Sequence, residues 1–186
     1  MKKVLIIKSH PSSKGFTQNI CETYKTESSK ENEVKIIDLY SKKYFLNFLN
    51  FEDKFELKSL DNSEISNIKN KISWADELVF IFPIWWGDCP AIMKNFFDVI
   101  IQSGFAFKYE NGKQIKLLKG KTAKVFATCD GPSIMYKLFL RPMWKFGRLN
   151  FCGIKLKSFV VFDRMFRRGD SERKYFLNRV KVITKL

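Results

Sequence analysis

The order of apolar and polar positions along the chain predicts strands and helices in regular alternation. Five short, nearly continuous apolar runs have the length of strands that are buried on both faces of a parallel sheet. These runs are Val4–Lys8, Val34–Leu39, Glu77–Phe82, Lys121–Thr128 and Ile154–Phe162. Because strands and helical segments alternate, we expect an α/β fold: a doubly wound, five-stranded parallel sheet with helices on both faces and right-handed crossovers.

The segments between these strands have the periodicity and boundary residues of helices. In one of them, Ile65, Ile68 and Ile72 fall on one face behind a Ser63 cap. The predicted helices are Phe16–Ser28, Ser63–Trp74, Pro90–Ser103, a helix within Ser133–Gly147, and Ser171–Lys185. The Phe-rich segment Ser41–Ser59 has no clear period and receives no assignment. Since no internal repeat or linker is visible, residues 1–186 are expected to form one domain.

The prolines indicate where a ligand would bind. Pro11, Pro83, Pro90 and Pro132 lie in the loops that follow the first, third and fourth predicted strands. In doubly wound sheets the ligand crevice lies beyond the carboxyl ends of the strands, where the strand order reverses. We prefer the strand order 2-1-3-4-5, because it makes these three strands neighbours and lets their loops line one crevice.

The composition is that of a globular protein apart from its charge. The 186 residues include 34 Lys and Arg against 19 Asp and Glu, a formal charge of +15. Residues 137–186 hold 14 of these bases and three acids, so +11 of the excess lies there. Such a balance suggests an anionic partner. However, no nucleic-acid recognition motif is present, so no specific nucleic-acid partner is expected, and peripheral contact with a membrane stays open.

Several protein classes are disfavoured by what the chain lacks. No apolar run approaches the roughly 18 residues of a membrane span, and the apolar stretch near the N-terminus is too short for a signal peptide. The four cysteines are widely spaced and the chain has a single histidine, which argues against a metal site. We therefore expect a cytoplasmic protein with unpaired thiols.

The loop Ser9–Asn19 has residues suited to an anion. Gly15 stands at the start of a predicted helix, where backbone N–H groups favour negative charge, and His10 and Thr17 add donors. Neither a Gly-x-Gly-x-x-Gly motif nor a P-loop motif occurs. A capped loop with a surface histidine is the alternative interpretation.

The loop within Phe82–Lys94 places two tryptophans, Trp85 and Trp86, between prolines directly after a buried strand. Adjacent indoles at such a position offer a flat aromatic surface and backbone amides to a planar ligand. The alternative is that both indoles pack within the protein or across a dimer interface.

The segment Thr128–Tyr136 leaves the fourth predicted strand. Thr128 and Asp130 can contact the polar edge of a ring, and Tyr136 can donate a proton or stabilise a developing negative charge. A proline turn with a half-buried tyrosine is the alternative. The aromatic segment Gly104–Tyr109 is interpreted as packing.

Together these motifs resemble the NAD(P)H-dependent flavin oxidoreductases of the flavodoxin-like fold, of the quinone reductase (DT-diaphorase) type. The resemblance spans nearly the whole chain, and its most specific piece is the tryptophan loop with the helix that follows. It rests on His10-Pro11 with Gly15-Phe16-Thr17, on Phe82 to Lys94, on Phe96-Phe97-Asp98, on Gly104 to Phe107, on Thr128 to Tyr136, and on Phe151-Cys152-Gly153.

The resemblance implies a set of site residues. His10, Gly15, Phe16 and Thr17 would hold the phosphate end of the flavin; Pro83, Ile84, Trp85, Trp86 and Gly87 would lie against the isoalloxazine; Thr128, Cys129, Asp130 and Gly131 would reach its polar edge. Tyr136 is the implied catalytic residue beside the ring. Phe107 and Tyr109 match positions that reach into the substrate pocket of the partner subunit.

The resemblance also implies a cofactor, a reaction and an assembly. FMN is the expected cofactor, with FAD the alternative, NAD(P)H the co-substrate and a homodimer the assembly. The implied reaction is a ping-pong hydride transfer through flavin N5 to a quinone-like or other small electron acceptor. Part of the positive charge, including Arg167 and Arg168, would then attract the anionic dinucleotide.

Two departures from the family pattern affect the implied chemistry. Gly15 stands where the family usually has Ser, which removes a hydroxyl group at the phosphate. Pro142 stands six residues after Tyr136, where the quinone reductases have a His, so a Tyr–His proton relay is absent. Arg141 can substitute only electrostatically, since it keeps its proton at neutral pH.

Three other functions remain open from the sequence. The fold can serve a non-catalytic regulatory or interaction subunit, for example one that docks to a membrane transporter through the basic C-terminal face. It can also serve a flavodoxin-type electron carrier, against which Phe107 and Tyr109 argue. Nucleic-acid binding through Arg164 and its basic neighbours is the third, and it predicts binding that depends steeply on salt.

Overall fold

The computed structural model of the protein describes residues 1–49 and 63–186. In these residues the strands are β1 (Lys3–Lys8), β2 (Glu33–Asp38), β3 (Glu77–Pro83), β4 (Phe107–Glu110), β5 (Lys113–Lys116), β6 (Thr122–Thr128) and β7 (Lys155–Phe162). Five of them form a parallel sheet in the order β2-β1-β3-β6-β7. This order confirms the predicted 2-1-3-4-5 pattern, because the two remaining strands, β4 and β5, pair only with each other.

The burial of each strand explains its sequence pattern. Every residue of the central strand β3 is buried, whereas β2, at the edge of the sheet, is mostly half-buried. A parallel strand with a helical layer on each face needs apolar residues at successive positions. The continuous apolar runs therefore mark the centre of the sheet.

Helices cover both faces of the sheet. They are α1 (Phe16–Ser28), α2 (Ser63–Trp74), α3 (Ala91–Ile100), α4 (Ser133–Leu138), α5 (Leu140–Pro142) and α6 (Asp170–Thr184), with a π-helical segment at Met143–Asn150. Helices α1 and α6 lie on one face, where Phe16, Ile20 and Phe176 share a core with Val79 and Phe126. The larger core on the other face contains residues of α2, α3 and the segment 140–149. The layers are those of a doubly wound α/β domain.

Helix α3 is shorter than predicted. It begins at Ala91, with Pro90 as its N-cap residue, and it ends at Ile100 rather than near Ser103. The backbone leaves the helical conformation at the C-cap residue Ile101, which has φ −89° and ψ 66°.

The hairpin of β4 and β5 was not predicted. Asn111 and Gly112, at φ +50° and +72°, form the two-residue connection between the strands. An Asn-Gly pair is a strong hairpin signal, so this element was accessible from the sequence. Part of the segment Gly104–Tyr109 packs as interpreted: the centroid of the Phe107 ring lies 4.9 Å from that of the Phe151 ring.

The helix predicted within Ser133–Gly147 continues past Gly147 and changes type. Pro142 has no backbone N–H, so it interrupts the regular hydrogen-bond ladder, and the π-helical segment begins at the next residue. Trp144 of this segment is fully buried and stacks on Phe82 with the ring centroids 4.9 Å apart. Through this indole, the π-helical segment packs against the end of β3.

A buried polar cluster lies at the amino end of the sheet. Glu77 and Lys124 form an ion pair at 3.2 Å, and the Tyr24 hydroxyl donates to Glu77 Oε1 at 2.6 Å. Lys124 Nζ also donates to the Thr184 carbonyl at 3.2 Å. Burial lowers the pKa of Lys124, although Glu77 opposes that effect. The cluster joins α1, β3, β6 and the end of α6.

The remaining sequence expectations have mixed outcomes. The unassigned segment Ser41–Ser59 extends beyond the described residues; its first part contains a 3₁₀ turn at Lys42–Tyr44 and a buried Leu46. Cys21, Cys89, Cys129 and Cys152 are all buried and unpaired, as their spacing predicted. Within the described ranges, no helix has both the length and the apolar composition to cross a bilayer.

Candidate functional site

A cavity of about 370 Å³ lies at the carboxyl ends of β1, β3 and β6. Its volume is in the range of small-molecule sites. It is lined by His10, Gly15, Phe16, Thr17, Pro83, Ile84, Trp85, Thr128, Cys129, Asp130, Met165 and Phe166. All of these except Met165 and Phe166 belong to the predicted site. The three loops selected from the sequence therefore meet at one crevice.

The loop after β1 is ordered by its own side chains. His10 Nδ1 lies 3.0 Å from the Ser12 nitrogen and 3.1 Å from the Ser12 carbonyl oxygen, so the imidazole ring packs against its own loop. The Ser12 hydroxyl donates to the Lys14 carbonyl at 2.8 Å and accepts from the Lys14 N–H at 3.0 Å. These contacts hold the His10 ring at the wall of the cavity.

Helix α1 starts at the cavity without a side-chain cap on its backbone donors. Its N-cap residue, Gly15, has φ 118° and ψ 177°, and the first turn contains no acidic residue. Residues other than glycine rarely adopt this backbone conformation. Among the described residues, none has an atom within 4 Å of the position that a Cβ of Gly15 would occupy. Free N–H groups at a helix start attract an anion, and Gly15 lets that anion approach the backbone.

Buried hydroxyl groups join the start of α1 to the end of β6. Thr17 Oγ1 and Thr128 Oγ1 lie 3.2 Å apart, and both side chains are buried. Ser9 Oγ is also buried, and within residues 1–49 and 63–186 it has no hydrogen-bond partner. Since an unpaired buried hydroxyl costs about 1–3 kcal/mol, a further polar group at this loop would stabilise Ser9.

The loop after β3 is a tight turn that directs its two tryptophans differently. Trp85 and Asp88 exchange backbone hydrogen bonds of 2.9 and 3.1 Å, while Trp86 and Gly87 have φ +52° and +83°. This is the pattern of a type I′ turn. Trp85 lines the cavity, whereas Trp86 at the tip is fully exposed. The Ile84 N–H donates to the Thr128 carbonyl at 2.7 Å and ties the turn to the end of β6.

The thiol of Cys129 in the loop after β6 is a structural group. It donates to the Gly131 carbonyl at 3.2 Å. Burial, followed by the charges of Asp163 and Asp130, raises its pKa to about 12. The thiol therefore stays protonated at neutral pH and is a poor nucleophile.

The side chain of Tyr136 lies against Gly131. A Cβ atom at Gly131 would lie 2.8 Å from the Tyr136 hydroxyl oxygen, so a side chain there would require the Tyr136 ring to shift. Burial, with a smaller contribution from Cys129, raises the pKa of Tyr136. The phenol is therefore protonated at neutral pH.

Met165 and Phe166, which the sequence reasoning missed, complete the cavity wall. The Met165 N–H donates to the Cys129 carbonyl at 3.1 Å, and the Phe166 N–H donates to Asp130 Oδ1 at 3.3 Å. Phe166 is 89% exposed. No motif marks these residues; the available signal was their position directly after the fifth strand.

Asp163 and Arg168 anchor the loop that carries these two residues. Arg168 donates to Asp163 Oδ1 from Nη2 at 2.6 Å, and to Glu172 at 2.8 Å. Asp163 Oδ2 accepts from the Ser133 N–H at 2.9 Å. Burial acts to raise the pKa of Asp163, but the bonds from Ser133 and Arg168 outweigh it and lower the pKa to about 2. The guanidinium of Arg168 therefore pairs with two carboxylates of the fold, and its attraction of a dinucleotide stays a prediction.

Some predicted site residues do not line the cavity; they are Trp86, Gly87, Phe107, Tyr109, Gly131 and Tyr136. Phe107 and Tyr109 lie on the β4–β5 hairpin, with their rings 6.0 Å apart, and Tyr109 is largely exposed. A single chain therefore does not bring these two aromatic residues to its own cavity.

Comparison with known proteins places the fold in a family. A family model described as flavodoxin-like fold matches residues 2–181. The chain belongs to this family. Its membership confirms the fold class and the family resemblance inferred from the loops after the strands.

Individual members of the flavodoxin-like family match over nearly the full length of the chain. An uncharacterized NAD(P)H oxidoreductase of Haemophilus influenzae is 32% identical over 182 residues, which cover 91% of this chain and 88% of the relative. An FMN-dependent NADH:quinone oxidoreductase of Coprothermobacter proteolyticus is 27% identical and is matched over 98% of its length and 100% of this chain. The solved NAD(P)H:quinone oxidoreductase of Methanothermobacter marburgensis has a TM-score of 0.81 and 25% identity, covering 98% of this chain and 95% of that one.

Proposed function

We propose that this protein is an FMN-dependent oxidoreductase that passes reducing equivalents from NAD(P)H to a quinone-like acceptor. The observation that carries the proposal is the cavity, in which the uncapped start of α1 and the indole of Trp85 lie together. An anion site and a flat aromatic wall suit a ligand with one phosphate and one planar ring. The names of the relatives, which specify NAD(P)H, FMN and quinone, support the same function.

The residues present fit FMN. The first N–H groups of α1, with the side chains of His10 and Thr17, would hold the phosphate. Because Gly15 has no hydroxyl, the backbone donors would carry most of this interaction. Ile84 and Trp85 would lie against the isoalloxazine, while the chain near Thr128 and Asp130 would reach its polar edge.

FMN, when bound, would supply the two-electron redox chemistry that links NAD(P)H oxidation to reduction of the acceptor. The chain itself would bind, orient and control protons. The turn Trp85–Asp88 would keep the ring wall in place. Tyr136, whose raised pKa keeps its phenol protonated, is the proposed proton donor. Pro142 offers no group to relay a proton to Tyr136, so solvent would have to resupply it.

We further propose a homodimer with the site at the interface. Ile134, Leu138, Phe139 and Phe146, in the helical segment after the cavity, are between 57% and 68% exposed. Clustered exposed apolar side chains of this kind are typical of an interaction surface. Phe107 and Tyr109, which lie away from the cavity of their own chain, would reach the cavity of the partner.

Cofactor release tests this proposal. The purified protein is denatured, the released cofactor is identified by mass, and the native protein is titrated anaerobically with NADH and NADPH. We expect FMN, bleaching of the flavin absorbance, and its return when a soluble quinone is added. Released FAD would change the cofactor assignment. A colourless protein that neither FMN nor FAD reconstitutes would exclude a flavoenzyme.

The same titration separates the alternative functions. Flavin that is bound tightly but not reduced by NADH or NADPH would indicate an electron carrier. Association with membranes that persists after flavin removal would favour a regulatory subunit.

A further inference from the structure

Asp88, the last residue of the tryptophan turn, is held by a side chain from a distant part of the fold. Arg148 Nη1 and Nη2 donate to the two carboxylate oxygens of Asp88 at 3.1 and 2.5 Å. Such a bidentate, charge-assisted pair is specific in geometry as well as strong. Asp88 Oδ1 also accepts from the Cys89 N–H at 2.7 Å. The carboxylate therefore joins the base of the turn to the π-helical segment Met143–Asn150.

Aromatic rings fix the guanidinium of Arg148. Its central carbon lies 5.2 Å from the ring centroid of Trp144 and 5.7 Å from that of Phe97. The side chain of Arg148 is 12% exposed, and that of Asp88 is 33% exposed. Removing the carboxylate from an arginine enclosed in this way is destabilising, because it leaves a largely buried charge without its partner. The two rings therefore hold the guanidinium that pairs with Asp88.

The tip of the turn has little else to hold it. Trp86 is fully exposed, and it adopts a left-handed conformation that residues other than glycine disfavour. Within residues 1–49 and 63–186, no atom lies within 4 Å of the position that a Cβ of Gly87 would occupy. Contacts at the tip thus contribute little to the orientation of Trp85, and the anchoring lies at the base of the turn.

We propose that Arg148 is a positioning residue that acts through Asp88 to hold Trp85 against the cavity. Arg148 is not among the cavity-lining residues, so it acts without touching the ligand. The inference rests on the proposed function only in naming FMN as that ligand. The geometry of the turn is a property of the chain alone, and it can be measured without any cofactor.

Three substitutions separate the parts of this interaction. Asp88→Asn keeps an oxygen for the Cys89 N–H but removes the charge. Arg148→Met keeps an alkyl chain against the aromatic rings but removes the donors. Arg148→Lys keeps the charge and one donor but loses the bidentate pair. As a control, Glu77→Gln weakens a buried ion pair at the amino end of β3, the strand whose carboxyl end leads into the tryptophan turn.

Two measurements give the result: hydrogen exchange of residues 84–89 in the flavin-free protein, and the Kd for FMN from flavin fluorescence. We expect Asp88→Asn and Arg148→Met each to speed exchange in this segment and to raise the Kd roughly tenfold, as is common for residues that orient a ligand-binding group. The double variant should be no worse than either single variant, because both remove the same interaction. Arg148→Lys should be intermediate, and Glu77→Gln should leave both readouts unchanged.

Unchanged exchange and unchanged FMN affinity in Asp88→Asn and Arg148→Met would overturn the inference. So would an equal effect of Glu77→Gln, since that would indicate a general loss of stability. If the unsubstituted protein binds no FMN, the proposed function fails, whereas the exchange measurement still decides whether Arg148 holds the turn.

Discussion

At the scale of single residues, two glycines are the N-cap residues of two different helices and have different backbone conformations. Gly15 is the N-cap residue of α1 and Gly169 that of α6, and neither has an atom near the position of a Cβ. Gly15 has φ 118°, whereas Gly169 has φ −82°. The first conformation strains any other residue, while the second does not. The two glycines thus form a matched pair for substitution.

We predict that Gly15→Ala lowers the free energy of unfolding by about 1–3 kcal/mol and weakens FMN binding, because the strained backbone shifts the first N–H groups of α1. Gly169→Ala should cost less than about 1 kcal/mol and leave FMN binding unchanged. Urea denaturation and FMN titration measure both effects. Equal losses for the two variants would contradict the prediction.

Two neighbouring arginines have different roles in the structure. Arg168 donates to Asp163 and Glu172, whereas Arg167 is exposed and forms no ion pair within the described residues. Arg167 lies next to Phe166 at the cavity wall. Of these two arginines, Arg167 is therefore the one whose charge is available to attract an anionic dinucleotide.

We predict that Arg167→Gln raises the KM for NAD(P)H roughly two- to fivefold at low ionic strength, with a smaller effect at high salt because the charge is exposed. Arg168→Gln should instead lower the melting temperature, because it removes bonds to Asp163 and Glu172. Steady-state kinetics at two salt concentrations and thermal unfolding distinguish the two variants. A KM that does not change in Arg167→Gln would assign this charge to solubility alone.

At the scale of elements, Asp163 connects the end of β7 to the start of α4. Its carboxylate accepts the Ser133 N–H and pairs with Arg168, and its pKa falls to about 2 from an ordinary value of 3.8. The folded state therefore favours the ionised carboxylate. Stability from this group is fully present above about pH 4 and is lost as the pH falls through about 2.

We predict that Asp163→Asn lowers the free energy of unfolding by about 2 kcal/mol at pH 7. The difference from the unsubstituted protein should shrink as the pH falls from 4 to 2, since the wild-type carboxylate then becomes neutral as well. Urea denaturation across this range measures the difference. Asp170→Asn, at an exposed position in the first turn of α6, is the control, and a difference that persisted at pH 2 would exclude the ionised pair as its cause.

At the scale of the whole molecule, the surface is both basic and locally apolar. The chain carries a formal charge of +15, which opposes nonspecific association. The segment 134–146 nevertheless exposes Ile134, Leu138, Phe139 and Phe146. These exposed apolar side chains support the proposed homodimer, because their burial would offset the charge repulsion between two copies of the chain.

We predict that Leu138→Glu dissociates the dimer, because it places a charge in the proposed apolar interface. Val182→Glu, on α6, is the matched control, since both side chains are 62% exposed. Light scattering after size-exclusion chromatography measures the mass of each variant. A monomeric unsubstituted protein, or equal behaviour of the two variants, would contradict an interface at this face.

The sequence alone was sufficient for the sheet and for most of the cavity. Strands that are buried on both faces need continuous apolar runs, so their positions and the doubly wound fold were predictable. Loops after parallel strands meet at one edge, so His10, Trp85 and Thr128 could be placed together without coordinates. The β4–β5 hairpin was missed although its Asn111-Gly112 turn was visible, since the aromatic pattern was interpreted as packing alone.

Only the tertiary structure decided which distant side chains pair. Arg148 lies 60 residues after Asp88, and neither residue carries a local pattern that identifies the other. The same holds for Arg168, whose role depends on where the end of β7 meets α4, and for Met165 and Phe166, which reach the cavity because their loop folds back over Cys129 and Asp130. Periodicity reports which face of an element is buried, whereas an ion pair between elements depends on how the finished layers pack.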